Sequence, residues 1–260
     1  MRKNHLAETM TLEQIDTDLF RSVFVQVEQY SLYGGLVAGQ ALAAAGATVP
    51  EGRVPHSLHG YFLRPGAADL PTVLHVERDR DGRTVSSRRV VAVQRGKVIF
   101  NMAASFGEDE GEAMDQHVQA PEIAAPDDLP VHPMHRYPTV EVRAELPMPS
   151  GLPHRFWVRA TQPLPSDDLV HACGLAYVSD LSTGVRIRPG LVPMASVDHA
   201  LWIHHVPRVD EWLLVDLVGQ ARAGRRGLYT GSIFTADGRL AATLAQEMLV
   251  LRVEDGAKPW

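Results

Sequence analysis

Within LAYVSDLSTG (175–184), an otherwise small and apolar run carries one carboxylate, Asp180. Burying a charge in such surroundings is costly unless it has partners or a chemical task. Two further polar groups interrupt apolar runs: Ser196 in MASVDHALWIHH (194–205) and Gln246 in RLAATLAQEMLVLR (239–252). A carboxylate can take a proton, and a hydroxyl and an amide can hold a water or a carboxylate by hydrogen bonds. Each also has an ordinary structural role, as a cap or ion-pair partner for the aspartate and as a satisfied core group for the other two. Were Ser196 a nucleophile it would need a base such as His199 or His56, and the chain has no G-x-S-x-G elbow. His199, His204 and His205 invite a metal reading. Adjacent histidines on a strand point to opposite faces, however, and no compact ligand set accompanies them, so no metal and no cofactor are expected.

Composition bounds the remaining classes. The 260 residues are 45% hydrophobic and 22% charged, as in an ordinary globular protein. A net charge of −6 argues against a nucleic-acid partner. One cysteine, Cys173, excludes an internal disulfide and a thiolate metal cluster, and is most simply a core residue. MRKNHLAETMTLEQID at the start lacks an apolar signal core, and no run reaches the roughly 18 apolar residues of a spanning helix. A cytoplasmic protein without membrane insertion is expected.

The elements that must carry these groups follow from periodicity. FRSVFVQV (20–27) alternates like a strand, and GGLVAGQALAAAGATV (34–49) reads as a helix of small residues. HSLHGYFLR (56–64), PTVLHVERD (71–79), TVSSRRVVAVQ (84–94) and KVIFNMAASF (97–106) read as four strands, the last two joined at Arg95-Gly96 as a hairpin. Residues 107–138, rich in acidic residues, Pro and Ala, read as a linker. Beyond it come a strand at 156–160, a helix at 165–182 with Ser166 or Asp167 as N-cap, and four strands at 194–205, 211–223, 225–236 and 239–252.

A constant shift of 142 lays the second half on the first, taking Val76 to Val218, Arg80 to Arg222, Gly82 to Gly224 and Gly96 to Gly238. One register kept across four strands indicates an internal duplication. Each copy is a helix followed by an antiparallel sheet, an α+β unit of the hotdog kind, with expected boundaries 1–106 and 139–260 around the 107–138 linker. At the same shift Ala104 becomes Gln246 and Val54 becomes Ser196, while the first helix has no acidic residue to match Asp180. Asp180, Ser196 and Gln246 thus enter core-facing elements of the second copy only.

HSLHGYFLRPG (56–66), SRRVVAVQRGKVIFNMAASF (87–106), LAYVSDL (175–181), ASVDHALWIH (195–204) and LAQEMLVLR (244–252) resemble the type II acyl-CoA thioesterases, which are double-hotdog proteins. The resemblance implies hydrolysis of fatty acyl-CoA to free fatty acid and CoA by an Asp, Thr/Ser and Gln set that orients a water. Those positions fall on Asp180, as the general base, and on Ser196 and Gln246, as the groups holding the water and the carboxylate. Oxyanion donors are expected at a helix start, with Gly34-Gly35 as the candidate. Arg64, Arg88, Arg89 and Arg186 are candidates for the phosphates of coenzyme A. The C-terminal AKPW differs from the Ser-Lys-Leu type peroxisomal signal of some eukaryotic relatives, and analogy with hotdog sheets suggests assembly into a homo-oligomer, a dimer or tetramer.

Two other readings fit parts of the pattern. A hotdog enoyl-CoA hydratase would use an Asp and a His, and Asp198 and His204 share a strand face by parity, although the glycine-aspartate-asparagine-proline type loop of that family is missing. A non-catalytic acyl-CoA binding protein could keep the fold, but would not need all three polar positions.

Overall fold

A helix made of GGLVAGQALAAAG has no polar face to turn to water, so it can only be stable inside a protein. In the computed structural model, which describes residues 5–26, 31–108, 111, 115–134, 136–145, 153–185 and 191–252, that helix is buried on nearly every side. The first half comprises α1 (Leu6–Thr9), β1 (Leu12–Asp16), β2 (Leu19–Ser22), α2 (Gly34–Gly46), β3 (Arg53–Phe62), β4 (Val73–Asp81), β5 (Val85–Gln94) and β6 (Lys97–Glu108). The second comprises β7 (Val131–His132), β8 (Val140–Arg143), β9 (Arg155–Ala160), α3 (Asp168–Val178), β10 (Leu191–Ser196), β11 (Asp198–Ile203), β12 (Leu213–Ala223), β13 (Arg226–Thr235) and β14 (Leu240–Arg252).

The strands form one antiparallel sheet in the order β1-β2-β4-β5-β6-β3-β11-β14-β13-β12-β9-β8-β7, with β10 also paired to β14. The order repeats outward from the centre, where β3 meets β11 with Leu58 opposite Leu201. Each half is therefore a helix cradled by its own antiparallel sheet, and the chain is an α+β double hotdog joined edge to edge. One core runs through both halves, including Leu42, Leu58, Phe100 and Phe106 from the first and Leu175, Leu201, Tyr229 and Leu244 from the second.

The helices α2 and α3 pack on each other antiparallel, and glycine sets how closely. A Cβ on Gly35 would lie 2.5 Å from the Tyr177 carbonyl oxygen, and one on Gly39 would lie 2.9 Å from that of Cys173. Any side chain there would push the helices apart. Cys173 is buried in this contact, and burial pushes its thiol pKa up.

Several sequence expectations shift. The acidic stretch 107–138 is no free tether where it is described: Gln116 donates to the Gly238 carbonyl and accepts from the Leu240 N–H, and the Ala124 carbonyl accepts from the Trp157 indole. The run 194–205 breaks at Val197 into β10 and β11, where the register against β14 slips by one residue and Asp198 Oδ1 takes the Glu247 N–H in place of a ladder carbonyl. The second helix ends at Val178 rather than 182. The repeat shift is also corrected. Val90 pairs with Met102 and Gly231 with Leu244, so β6 and β14 are related by 142 but β5 and β13 by 141. Burial agrees, since Val76 is 2% exposed and matches Leu217 at 5%, whereas Val218 is 51% exposed. The extra residue lies in the hairpin, where Ala236-Asp237-Gly238 replaces Arg95-Gly96; the left-handed φ angles of Arg95 (49°) and Gly96 (71°) fit a two-residue type I′ turn.

Arg88 is not a surface cation for phosphate. Its side chain is fully buried, with Nε donating to Thr48 Oγ1 (2.8 Å), Nη2 to the Thr48 carbonyl (2.9 Å) and Asp81 Oδ1 (2.7 Å), and Nη1 to the carbonyls of Arg80 and Ser87. It sits on the inward side of β5 with Ser86, Val90 and Ala92. Arg88→Ala leaves a cavity and unpaired acceptors, so it should lower the unfolding free energy by about 2–4 kcal/mol. Urea denaturation checks this, and an unchanged midpoint would mean that the network contributes nothing.

Candidate active site

Asp167 starts α3 as its N-cap, accepting from the Leu169 N–H (2.8 Å) and the Val170 N–H (3.4 Å). Its other end delivers Asp180 two residues beyond the last helical residue, where the chain has turned off the helix axis. The carboxylate there meets the start of α2 from the other half: a Cβ on Gly34 would lie 2.5 Å from its Oδ2, and the nearby Gly35 amide favours its charged form. An anion at a helix N-terminus is favoured by the unpaired amides and the helix dipole.

The sheet supplies the remaining partners. Ser196 closes β10, and its hydroxyl donates to Asp180 Oδ1 at 3.1 Å. Gln246, buried in the middle of β14, uses its side-chain amide nitrogen twice, donating to Asp180 Oδ1 at 2.7 Å and to Ser196 Oγ at 2.6 Å. The three residues singled out by the internal comparison therefore form one hydrogen-bonded cluster, although they lie on three elements spread over 66 positions.

A fourth member is His199 on β11, which the sequence comparison passed over. It is 1% exposed; its Nδ1 hydrogen-bonds Gln246 Oε1, and its Nε2 lies 2.8 Å from Ser179 Oγ. The miss has a definite cause. The shift of 142 fails on β3 and β11, where 141 holds, so Ser196 corresponds to Pro55 rather than Val54, and His199 corresponds to Leu58. Leu58 pairs with Ala104 in the first copy, and the same ladder position of the second copy holds His199 with Gln246. A search for polar residues at the 141 shift finds His199 at once.

Electrostatics follow from this packing. Burial raises the Asp180 pKa above the ordinary carboxylate value, opposed by the neighbouring His199, by the Gln246 and Ser196 hydrogen bonds and by the Gly35 amide. Burial lowers the His199 pKa, opposed mainly by Asp180. Tyrosines wall the site. Burial and the Asp180 charge raise Tyr33, and burial pushes Tyr137 up to about 12. Tyr33 packs on Tyr137 with ring centroids 4.5 Å apart, and its hydroxyl donates to the Tyr177 carbonyl at 2.6 Å. On the other side Phe62 packs on Phe100 and closes over Gly34.

Other expected residues lie elsewhere. Arg64 is exposed and donates to the Val98 carbonyl at 2.7 Å. Arg89 is paired with Asp79 and Glu77 on the sheet surface. Arg186 lies outside the described residues. Neither nitrogen of His199 bonds to Ser196, so no histidine–serine nucleophile pair is assembled. Asp198 opens β11 and His204 follows its last residue, a separation of about 20 Å at strand rise. Asp198 also accepts the Glu247 N–H, and His204 bonds Thr243, so the hydratase pair does not meet.

Comparison with known proteins agrees with this architecture. Residues 26–107 match the acyl-CoA thioesterase N-terminal domain and residues 114–250 the acyl-CoA thioesterase C-terminal domain. The chain is 34% identical to acyl-coenzyme A thioesterase 8 of Homo sapiens over 96% of this chain and 90% of that protein. It is 32% identical to acyl-CoA thioesterase 2 of Haemophilus influenzae over 95% of this chain and 97% of that one. Among solved structures, acyl-CoA thioesterase II of Mycobacterium marinum superposes with a TM-score of 0.79 at 40% identity, covering 95% of this chain and 98% of that chain. With two matched domains on one continuous double-hotdog sheet, the chain belongs to the type II acyl-CoA thioesterase family of hydrolases.

Proposed function

We propose that the enzyme hydrolyses fatty acyl-CoA to free fatty acid and CoA, with Asp180 as general base and Ser196 and Gln246 as the groups that hold the carboxylate and the attacking water. The observation that carries this reading is the asymmetry of the Asp180 carboxylate. Oδ1 accepts from both Ser196 and Gln246, while Oδ2 faces the Gly34 end of α2 beside Phe62. The anchored oxygen fixes the group, and the other is directed at the space where a thioester carbonyl and a water must meet. Phe62, Tyr33 and Tyr137 give that space apolar and aromatic walls suited to an acyl chain.

In the reaction a water oxygen attacks the thioester carbonyl carbon as Asp180 takes the water proton. Collapse of the tetrahedral intermediate breaks the C–S bond, and the proton held by Asp180 returns to the departing sulfur. One carboxylic acid and one thiol result, with no covalent enzyme intermediate.

Three outcomes test this. Asp180→Asn keeps the size and loses the base, so free-thiol release from a panel of acyl-CoAs should fall by about 10²–10⁴-fold. A folded variant retaining the wild-type rate would reduce Asp180 to a structural residue. The base works deprotonated and burial raises its pKa, so kcat/KM should climb with pH through a midpoint above the ordinary aspartate value near ~3.9; a profile already flat from pH 4 upward contradicts the raised value. Gly34→Ala puts a methyl 2.5 Å from Oδ2 and 2.9 Å from the Phe62 ring, so one of them must move. Its kcat should drop about tenfold or more, and full activity would show that the carboxylate need not stand against α2.

A further inference from the structure

We infer that His199 is a positioning residue for hydrolysis, fixing which way round the Gln246 side-chain amide sits. This rests on the reading of Asp180, Ser196 and Gln246 as the working set. A glutamine amide is nearly symmetric in shape, but its two ends have opposite hydrogen-bonding character. As placed, the nitrogen end donates to Asp180 and Ser196. Turned over, it would set Oε1 about as close to Asp180 Oδ1, two acceptors in contact at a buried site, and would repel the base instead of holding it.

His199 decides between the two. Gln246 Oε1 can only accept, so His199 Nδ1 must carry a hydrogen and donate to it. Burial favours the neutral ring, which leaves Nε2 as an acceptor 2.8 Å from Ser179 Oγ; the one Ser179 hydrogen, which also has the Ala176 carbonyl within reach at 2.9 Å, then goes to Nε2. Ser179 is the C-cap of α3 and immediately precedes Asp180. A single path therefore runs from Ser179 through His199 and Gln246 to Asp180, each member fixing the next. The first copy shows that the fold does not require it: at the corresponding ladder position Leu58 pairs with Ala104 in a plain apolar core. The donor at position 199 is needed only where the amide at 246 is present.

The test compares steady-state thiol release and thermal melting of the wild type, His199→Leu, His199→Asn, Gln246→Ala and the His199→Leu/Gln246→Ala double variant. Leucine is the first copy's own residue at this place, and the asparagine amide can stand in for Nδ1–H. We expect His199→Leu to fold but to melt below the wild type, because Gln246 Oε1 loses its donor, and to lose about 10- to 100-fold in kcat, with KM changed less than threefold. His199→Asn should recover most of that loss, and in the Gln246→Ala background His199→Leu should cost nothing more. If His199→Leu does not fold, His199→Gln, whose longer amide reaches the Nε2 place instead, replaces it. Wild-type kcat in the folded Leu variant, an Asn variant no better than Leu, or a loss that adds fully to that of Gln246→Ala each overturns the inference. A silent wild type, or an active Asp180→Asn, overturns the catalytic reading as well. An active wild type with an inactive Asp180→Asn and an undiminished His199→Leu overturns only the role of His199.

Discussion

A largely buried carboxylate at the junction of two half-domains is the constraint on which the rest of the structure turns. Asp180 is held there by Ser196 and Gln246 of the second copy, which both donate to Oδ1, while the start of α2 in the first copy closes against Oδ2. The edge-to-edge joining of β3 to β11 and the close antiparallel contact of α2 with α3 bring these groups within reach, so the site and the interface between the copies are one problem with one solution.

The two copies show the alternatives available to a buried polar position. In the first, Pro55, Leu58 and Ala104 stand where the second has Ser196, His199 and Gln246. Intermediate states are poor, because a half-satisfied polar network is worse than an apolar core. A lone glutamine at 246 without a donor at 199 would leave its carbonyl end buried and unpaired. The substitutions are therefore interdependent. Where the first copy does bury a charge, at Arg88, every face of the guanidinium is matched by an oxygen of β4, β5 or the segment after α2. Tyr229 stands at the matching position of β13 and reaches the Ser182 carbonyl instead.

Much of this was legible in the residue pattern, and the failures were failures of register. The strands announced themselves by alternation, α2 by its unbroken run of small residues, and Asp180 and Gln246 by polarity in apolar surroundings. A one-residue longer hairpin at 236–238 changed the repeat shift for every strand preceding it. On a pleated strand a one-residue error exchanges the two faces, which is why Ser196 was matched to the wrong partner and His199 was passed over. Arg88 was misjudged for another reason: arginine is usually a surface residue, yet Ser86, Val90 and Ala92 at alternate positions already marked its side of β5 as the inner one. The break of 194–205 at Val197 is a slip in register against β14, where the Asp198 side chain takes the Glu247 amide, and alternation along the run itself does not show it.

Glycine at the start of α2 gains a different meaning from this geometry. The expectation drawn from helix dipoles was that Gly34-Gly35 offers amides to a developing oxyanion. In the folded protein the missing Gly34 side chain is what lets Oδ2 stand against the helix, and the nearby Gly35 amide favours the charged form of the base. The same small residues that let α2 lie within a few ångström of α3 clear the place for the carboxylate, so helix packing and catalytic geometry draw on one sequence feature. A larger residue at 34 or 35 would have to disturb both at once, displacing Asp180 in the first case and the Tyr177 carbonyl with Tyr33 in the second. The buried charge thus constrains the helix contact as firmly as the contact positions the charge.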